Sequence, residues 1–418
     1  MLTVVLDDDP TGTQSATDVT VLLDWEANEL YSALSTEGSV YLQTNSRAVP
    51  AEQARQMATR IRDQIRSVEE ALEQPVLIVL RGDSTLRGHV FTESDVFAGD
   101  DGRILFVPAF PQGGRRTIGS IHTVAIDGVD TPVGDTEFAR DPVFGYRSSN
   151  LIEWAREKGG RRAVPVNLAS LRASEGQAVA AALAAAGPRE LVVPDVETDA
   201  DIEFVRRGLI SALEAGLHVV VRSAATLAAA CAERLSTAYL ARPIPRSRDG
   251  VVVICGSHTA AATAQLECLA LRVGQEPIVI ATGDAFADPR AAAAEARRRL
   301  ELTGLAIVAT ERHRRVDHDT LDDGTLVMRA LIEATVVLVP LVGAVVSKGG
   351  ITSAEVARIG FSARTAHVRG QLAAGISVWD LGEGELRGFQ VVVPGNVGGR
   401  ETLVDVMEAL NVELKEDV

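Results

Sequence analysis

The sequence predicts an α/β protein of two domains, each a mostly parallel sheet flanked by helices. Continuous Val/Ile/Leu runs such as "PVLIVL" and "VVVIC" are typical of strands buried on both faces. Polar stretches of helical length alternate with these runs, as in doubly wound sheets. The 418 residues are more than one ordinary core uses, so two or three domains are expected.

The elements divide into two groups along the chain. Strand candidates from "TVVLD" to "HVVVRS" come first, with a long helix opening at Pro50 between two of them, a residue suited to a first helical turn. The segment 241–250, "ARPIPRSRDG", has two prolines, three arginines and no apolar periodicity, which indicates a linker. We therefore predict a domain over 1–240 and a second over 251–418.

Composition narrows the class of protein. The chain is 46% hydrophobic and 4% aromatic with a net charge of −16, which favours a compact fold and argues against a nucleic-acid partner. Its three cysteines lack metal spacing, and such a sparse, odd count suits a reducing cytosol. The longest apolar stretch, "VVLVPLVGAVV", is broken by Pro340 and too short to span a bilayer. We expect a cytoplasmic protein with no targeting peptide and no membrane partner.

Polar turns follow several strands of the first predicted domain. They are "DDDPTG", "RGDSTLRG" and "FPQGGRR". Ligands of open α/β sheets bind at the carboxyl ends of strands, and arginine forks match carboxylates and phosphates. Arg81, Arg87 and Arg115 in these turns therefore indicate an anionic ligand. The alternative is that Arg81 and Arg87 pair with Asp83 as structural ion pairs.

Three turns of the second predicted domain differ in kind. Each is rich in small residues and leads from a strand into a helix: "CGSHTAAATAQL", "SKGGITSAEV" and "PGNVGGRETL". Glycine lets backbone N–H groups approach a ligand closely, and a helix N-terminus favours phosphate. None matches a P-loop or GxGxxG, but together they indicate a nucleotide or polyphosphate. Lys348 is the lysine in such a turn, and a phosphate-binding role for it stays open.

The opening aspartates also fit a different enzyme class. Asp7-x-Asp9-x-Thr11 has the spacing of the nucleophile loop in haloacid-dehalogenase-type phosphatases. That mechanism needs a later lysine followed by an acidic pair, whereas Asp322-Asp323 precedes Lys348. One set of ligand-binding turns in each of two domains fits phosphoryl transfer better than phosphatase chemistry. In such a transfer a carboxylate accepts the proton of the attacking hydroxyl, and Mg²⁺ offsets the charge of the phosphate groups. Mg²⁺ needs only one or two carboxylates plus phosphate oxygens, so its ligands are left unassigned.

Several motifs in order carry a resemblance to a known family. They are "DDxTG", "DSTLRG", "PAFPxxGR" with "TEFARDP", "GSHTAAATAQL", "KGGITS" and "PGNVGG". The chain resembles the four-carbon acid sugar kinases over nearly its whole length. Members of that family phosphorylate threonate, erythronate or 3-oxo-tetronate with ATP. The resemblance implies a sugar-acid domain, an ATP domain and no covalent phosphoenzyme, with Asp7 as the last residue of its strand.

The resemblance also implies site residues. Catalytic roles go to Asp8 and Asp9. The acid-binding set is Thr11, Gly12, Arg81, Asp83, Ser84, Arg87 and Arg115. The ATP-binding set is Ser257, Gly349, Gly350, Thr352, Ser353, Gly395 and Asn396. The implied ligands are a small acid sugar, ATP and Mg²⁺, and a homo-oligomer is compatible with them. A non-catalytic sensor of a sugar acid and a nucleotide is the remaining alternative.

Overall fold

The computed structural model describes residues 1–9, 11–126, 128–283, 290–312 and 321–415. The chain divides into two compact units, Met1–Leu235 and Ser236–Val418. Each unit has a sheet of mostly parallel strands flanked by helices. The predicted fold class is therefore confirmed.

The first unit contains a parallel sheet. Its strands are β1 (Leu2–Asp7), β2 (Val19–Leu22), β3 (Ser39–Gln43), β4 (Val76–Arg81), β5 (Arg103–Val107), β9 (Ala163–Val166), β10 (Leu191–Pro194) and β11 (Val219–Ser223). Their order in the described residues is β2-β3-β1-β4-β11-β5-β10-β9, with parallel neighbours throughout. The chain crosses over between β1 and β4, so residues far apart in sequence meet at the carboxyl ends of β1, β4 and β11.

Helices cover both faces of this sheet. They are α1 (Ala27–Glu37), α2 (Ala51–Leu72), α3 (Val90–Ala98), α4 (Leu151–Gly159), α5 (Leu168–Ala173), α6 (Gln177–Ala185), α7 (Asp199–Glu214) and α8 (Ala225–Cys231). Helix α2 packs on the sheet through one apolar face, because its buried residues recur at helical spacing. They are Ala54, Ala58, Ile61, Ile65 and Val68. They join a core with Leu6 and Leu80 of the sheet. A second core packs Trp154 of α4 against Phe106 of β5 at 5.1 Å between ring centroids.

A small antiparallel sheet in the first unit was absent from the sequence prediction. It consists of β6 (Arg115–Ile118), β7 (Ile121–Ile126) and β8 (Val129–Pro132). These strands are short and partly polar, so they lack the apolar runs that mark the parallel strands. Because Arg115 begins β6, the sheet fixes the position of a predicted acid-binding residue.

The second unit contains a mixed sheet. Its strands are β12 (Val251–Cys255), β13 (Ile278–Ile280), β14 (Leu305–Thr310), β15 (Ala344–Lys348), β16 (Thr365–Ala373), β17 (Ile376–Leu381) and β18 (Gly388–Val393). The order in the described residues is β13-β14-β12-β15-β18-β17-β16. The neighbours from β13 to β18 are parallel, whereas β17 is antiparallel to both β18 and β16. Three adjacent parallel strands, β12, β15 and β18, thus direct their carboxyl ends to one edge.

Helices flank this second sheet as well. They are α9 (Ala260–Val273), α10 (Arg290–Thr303), α11 (Leu321–Leu338), α12 (Gly350–Glu355) and α13 (Thr402–Ala409). Helices α9 and α13 pack Leu266 and Met407 onto Val253 and Val391. The segment 241–250 belongs to this unit: Ile244 is buried in the same core, and Arg248 donates to the Pro340 carbonyl at 2.7 Å.

One stretch of the second unit has the length and composition of a membrane-spanning helix. It covers Gly324–Leu341, with a mean hydropathy of 1.7 over 18 residues and 39% of the stretch buried. Core helices of soluble proteins share these properties, and Leu331 and Leu338 of this stretch are fully buried. The stretch is therefore weak evidence for a membrane, and cytoplasmic location stays a prediction.

Candidate functional site

The carboxyl ends of four strands lie side by side in the first unit. Asp7 at the end of β1 is in register with Gln43 of β3 and with Arg81 of β4. Arg81 is in turn in register with Ser223 of β11. The predicted turns after β1 and β4 are therefore neighbours in space, because parallel strands expose their carboxyl ends at one edge.

Asp7 has a structural position. It is the last residue of β1, as predicted, and is 0% exposed. Its Oδ1 accepts a hydrogen bond from Arg81 at 3.0 Å, and burial raises its pKa to about 7. Gly12 covers it: a Cβ at Gly12 would lie 2.0 Å from the Asp7 oxygens. A carboxylate enclosed in this way cannot attack a phosphate, which argues against the phosphatase alternative.

Asp8 lies between two buried arginines. Its Oδ2 is 3.4 Å from Nη2 of Arg222, and its Oδ1 is 3.7 Å from Nη1 of Arg81. Within the described residues Oδ1 has no hydrogen-bond partner. Burial raises the pKa of Asp8 in spite of the arginines. Asp8 therefore combines a buried oxygen that accepts no hydrogen bond from the described residues with a proton affinity above that of an ordinary aspartate.

Glu93 of α3 shares Arg222 with Asp8. Nη1 of Arg222 forms an ion pair with Glu93, whose other oxygen accepts from the Ser46 hydroxyl. The three side chains are buried. The positive charge of Arg222 is therefore shared between Glu93 and Asp8, so its attraction to Asp8 is weaker than it would be without Glu93. A small cavity next to this group is lined by Asp8, Ser46, Glu93, Arg222 and the apolar side chains of α2.

Asp9 is engaged through both of its oxygens. Oδ1 accepts from the Thr11 amide at 2.8 Å and from the Thr11 hydroxyl, and Oδ2 forms an ion pair with Arg47. Burial opposes ionisation, but Arg47, Arg81 and the Thr11 hydrogen bonds outweigh it and lower the pKa of Asp9. Asp9 is thus held ionised, and its oxygens are less available to a hydroxyl than those of Asp8.

Asp83 links the turn after β4 to the same cluster. It accepts from Arg87 Nε at 2.7 Å and from the Thr85 hydroxyl, and it lies 3.4 Å from Nη1 of Arg47. Although burial opposes ionisation, the two arginines hold the pKa of Asp83 well below its usual range. The guanidinium of Arg87 also lies 5.1 Å from the centre of the Phe138 ring. The ion pair of Arg87 with Asp83 that the sequence left open is therefore present, whereas Arg81 pairs with Asp7 and Asp8 instead.

Arg115 and Ser84 lie beside this turn. Arg115 is 7% exposed and donates to the Gly113 carbonyl, while its Nε has no hydrogen-bond partner in the described part of the chain. The Ser84 carbonyl accepts from Nε2 of His122 at 2.7 Å. Burial lowers the pKa of His122 to about 4, so this histidine is neutral and supports the turn.

Sequence reasoning missed Arg47, Glu93 and Arg222. Arg222 stands in the apolar run "HVVVRS" and Arg47 follows "SVYLQT", so an arginine at a strand end was an available signal for both. Glu93 lies inside a helix and carried no such signal. The strand order decides which acid each arginine meets, and spacing does not reveal that order.

In the second unit, the turns after β12, β15 and β18 pack against one another. The Ser257 amide donates to the Lys348 carbonyl at 3.3 Å, and the Gly349 amide donates to the Val393 carbonyl at 2.9 Å. The Thr259 hydroxyl, which caps α9, donates to the Gly395 carbonyl at 2.7 Å. The three predicted nucleotide turns are therefore brought together.

Small residues are required for this packing. A Cβ at Gly395 would lie 2.7 Å from the Ser257 hydroxyl oxygen. Gly349 has a φ of +115°, and a Cβ there would lie 3.1 Å from Cβ of Ser257. Gly350 begins α12, and Asn396 is half-buried after Gly395. The glycines thus let the turns close on one another.

The hydroxyls of α12 face inward. Thr352 is almost fully buried, and a Cβ at Gly256 would lie 2.3 Å from its hydroxyl oxygen. Ser353 is fully buried and hydrogen-bonds with the Ser347 hydroxyl and the Gly349 carbonyl, both at 2.8 Å. These contacts brace the turn after β15, so nucleotide contacts of these two hydroxyls stay predictions.

Arg312 after β14 is a further residue that sequence reasoning missed. Its Nη1 donates to the Ser257 carbonyl at 2.6 Å, and its Nη2 donates to the Thr310 hydroxyl at 2.9 Å. It therefore holds the turn after β12 from the neighbouring strand.

Within the described residues, no group of three or more His, Cys, Asp or Glu side chains could hold a metal ion. Mg²⁺ bound with nucleotide phosphates needs only one or two carboxylates, so its ligands in this chain stay unassigned. The pair Asp322-Asp323 lies in α11, and its side chains are outside the described residues.

Two solved structures resemble the chain in fold. A Haemophilus influenzae protein shares 15% identity over 97% of this chain and 100% of its own, with a TM-score of 0.64. A Salmonella typhimurium LT2 protein, named a "putative tRNA synthase", shares 15% identity over 97% of this chain and 98% of its own, with a TM-score of 0.67. At such identity these likenesses show the fold alone. A homo-oligomer stays a prediction.

Two family models cover most of the sequence. The sugar-binding N-terminal domain matches residues 3–231, and the nucleotide-binding C-terminal domain matches residues 252–403. Among curated proteins, none matches the chain significantly. The first model alone matches more than half of the chain, and the two follow in the order that the motifs predicted. The chain belongs to the two-domain family of the four-carbon acid sugar kinases, with a sugar-binding domain followed by a nucleotide-binding domain.

Proposed function

We propose that this protein is an ATP- and Mg²⁺-dependent kinase that phosphorylates a hydroxyl, by family resemblance the terminal one, of a four-carbon acid sugar such as threonate, erythronate or 3-oxo-tetronate. The observation that carries the proposal is Asp8, a buried carboxylate that follows a strand of the sugar-binding domain and has one oxygen without a hydrogen-bond partner in the described structure. The second domain supplies the nucleotide.

Asp8 is the proton acceptor in this proposal. A general base must form a hydrogen bond with the hydroxyl that it deprotonates and must have an adequate proton affinity. Asp8 has an Oδ1 that accepts no hydrogen bond from the described residues, and its pKa is raised. Asp9, whose oxygens already bind Thr11 and Arg47, orients the turn. Mg²⁺ would offset charge on the transferring phosphoryl group.

Arginines of the first unit are assigned to the carboxylate of the acid. Arg87 is only partly buried, and Arg115 has an Nε without a partner in the described residues. A bidentate guanidinium suits a carboxylate. Arg81 was expected to share this role, but it is 4% exposed and contacts Asp7 and Asp8. Arg81 is assigned to the aspartates instead.

An ADP-release assay over a panel of C4 to C6 sugar acids tests the proposal. We expect acid-dependent ADP release with Mg²⁺, highest with four-carbon acids. Nucleotide binding without acid-dependent release would instead indicate the sensor. Release of phosphate from phosphate esters in the absence of ATP would instead support the phosphatase hypothesis.

Two isosteric variants distinguish the roles of Asp8 and Asp9. Asp8→Asn is expected to lower kcat by about 100-fold or more, as for loss of a general base. Asp9→Asn is expected to keep more activity, since Asp9 acts on the turn. Circular dichroism checks that both variants are folded. Near-normal turnover of folded Asp8→Asn would refute the base role.

A further inference from the structure

Lys348 is a buried cation at the edge where the nucleotide turns meet. It is the last residue of β15 and is 0% exposed. Its Nζ donates to the Pro394 carbonyl at 2.6 Å. In the described part of the chain, no carboxylate oxygen lies within 4.0 Å of it, whereas the buried Arg81 and Arg222 of the first unit's cluster each have such a partner.

An ammonium group in this position is costly to the fold. Buried charges are normally paired, because removal from water is not repaid by a single carbonyl. Burial accordingly lowers the pKa of Lys348 to about 8. Lys348 costs stability, yet it lies next to turns that are predicted to bind an anion. Binding of that anion explains why a lysine stands at this position.

We propose that Lys348, at the end of β15 with its Nζ against the turn after β18, is the counter-charge for the phosphate chain of the bound nucleotide. The proposal rests on nucleotide binding by the second unit and not on the kinase reaction. The described protein residues place no negative charge next to the ammonium group of Lys348, and the phosphates of a bound nucleotide provide it.

Among the residues that the structure describes, few other charged groups face Lys348. On β12 the neighbour is the Cys255 thiol, whose pKa is raised by burial, so it stays neutral. Arg312 lies beyond it, with Nη1 at 3.8 Å from the Cys255 sulfur. The adjoining residues of β18 and its turn, Val393 and Pro394, carry no charge. Glu355 at the end of α12 pairs with Arg358, and His258 lies exposed on the turn after β12.

Proton uptake on binding is the direct consequence. A polyanion favours the charged form of Lys348, so the pKa of Lys348 rises when the nucleotide binds. At pH 8.5 the free protein holds this lysine largely neutral, and binding must therefore take up protons from the buffer. At pH 7 the lysine is already charged, and uptake through it is small. Ordinary histidines change charge mostly below pH 8, which is why the test is made at pH 8.5.

The test is calorimetric titration of the full chain with ADP in pairs of buffers that differ in ionisation enthalpy. ADP avoids turnover, and its phosphates are fully ionised at these pH values. We expect net proton uptake at pH 8.5 and an affinity for ADP that falls about tenfold between pH 7.5 and 9.5. Binding without proton uptake at pH 8.5 would overturn the proposal, and this measurement needs no variant.

Three variants complete the test. Lys348→Met keeps the length of the side chain but removes the charge, and it should bind ADP at least tenfold more weakly at pH 7 with no dependence on pH above it. Lys348→Arg keeps the charge and should retain more affinity than Lys348→Met. Lys158→Met, at an exposed position in the first unit, makes the same change in net charge and should bind ADP normally.

The outcomes separate this proposal from the proposed function. If the wild-type protein and Lys348→Met bind ADP equally, the role of Lys348 is wrong while the nucleotide site stands. If the wild-type protein binds no nucleotide at all, both the counter-charge and the kinase are refuted. If ADP binds as expected but no acid supports turnover, only the kinase reaction fails.

Discussion

Arg47 forms an ion pair with Asp9 across the turn that follows β1, and its other nitrogen reaches Asp83 in the turn that follows β4. Two segments about 70 residues apart in sequence are thereby held together by one side chain. A site built in this way depends on Arg47 for its geometry, even though no motif includes it.

Arg47→Ala should therefore affect both stability and turnover. Removing one member of a partly buried ion pair leaves uncompensated charge, at a cost of about 2 kcal/mol in the free energy of unfolding, between the values for exposed and fully buried pairs. Urea denaturation followed by tryptophan fluorescence measures this loss. The matched control is Arg55→Ala on α2, where the side chain is 53% exposed and the expected change is below about 0.5 kcal/mol. Equal effects of the two variants would contradict the bridging role.

Glu93→Gln should shift the pH dependence of turnover. The negative charge of Glu93 raises the pKa of Asp8, and its ion pair occupies one nitrogen of Arg222. Without that charge the pKa of Asp8 falls. Because Asp8 must be deprotonated to accept a proton, kcat/KM decreases as the pH falls through this pKa, and the acid limb of the variant moves to lower pH. Glu52→Gln, at a 70% exposed position, serves as the control, and an unmoved acid limb in Glu93→Gln would count against the coupling.

Gly12→Ala should destabilise the first unit. An added methyl group would overlap the carboxylate of Asp7, and overpacking of this kind costs about 1–3 kcal/mol. The midpoint of thermal unfolding should fall accordingly. Gly324→Ala provides the comparison, since a Cβ there meets open space and alanine favours a helix by about 1 kcal/mol. An unchanged midpoint for Gly12→Ala would show that the turn relaxes freely.

Lys348 should give the second unit a distinctive dependence on pH. Its pKa is about 8 in the folded protein against an ordinary value of 10.5, so between these values the unfolded chain binds more protons than the folded one. Stability then rises with pH from about 8 to 10. Urea denaturation at several pH values should show this slope in the wild-type protein and its loss in Lys348→Met. A slope of the same size in both would assign it to other groups.

The sequence was informative about strand ends and uninformative about the partners of charged side chains. Apolar runs followed by polar turns correctly located the end of β1 at Asp7 and the three small-residue turns of the second unit. The ion pair of Arg222 with Asp8 joins residues 214 positions apart and depends on β11 lying next to β4. Local patterns do not encode that adjacency. The short strands β6 to β8 escaped prediction because they lack long apolar runs.

The pairing of acids with arginines in the first unit also governs its electrostatics. The acids and arginines of the site nearly balance, so it is locally close to neutral in a chain with a net charge of −16. The acids are Asp7, Asp8, Asp9, Asp83 and Glu93, and the arginines are Arg47, Arg81, Arg87, Arg115 and Arg222. An anionic metabolite is repelled by the molecule at a distance but not by the pocket it enters. Dissolved salt screens the distant field within about 10 Å at 0.1 M. Moderate ionic strength should therefore speed the capture of anions by this acidic protein, whereas for most enzymes that attract their substrates it slows capture.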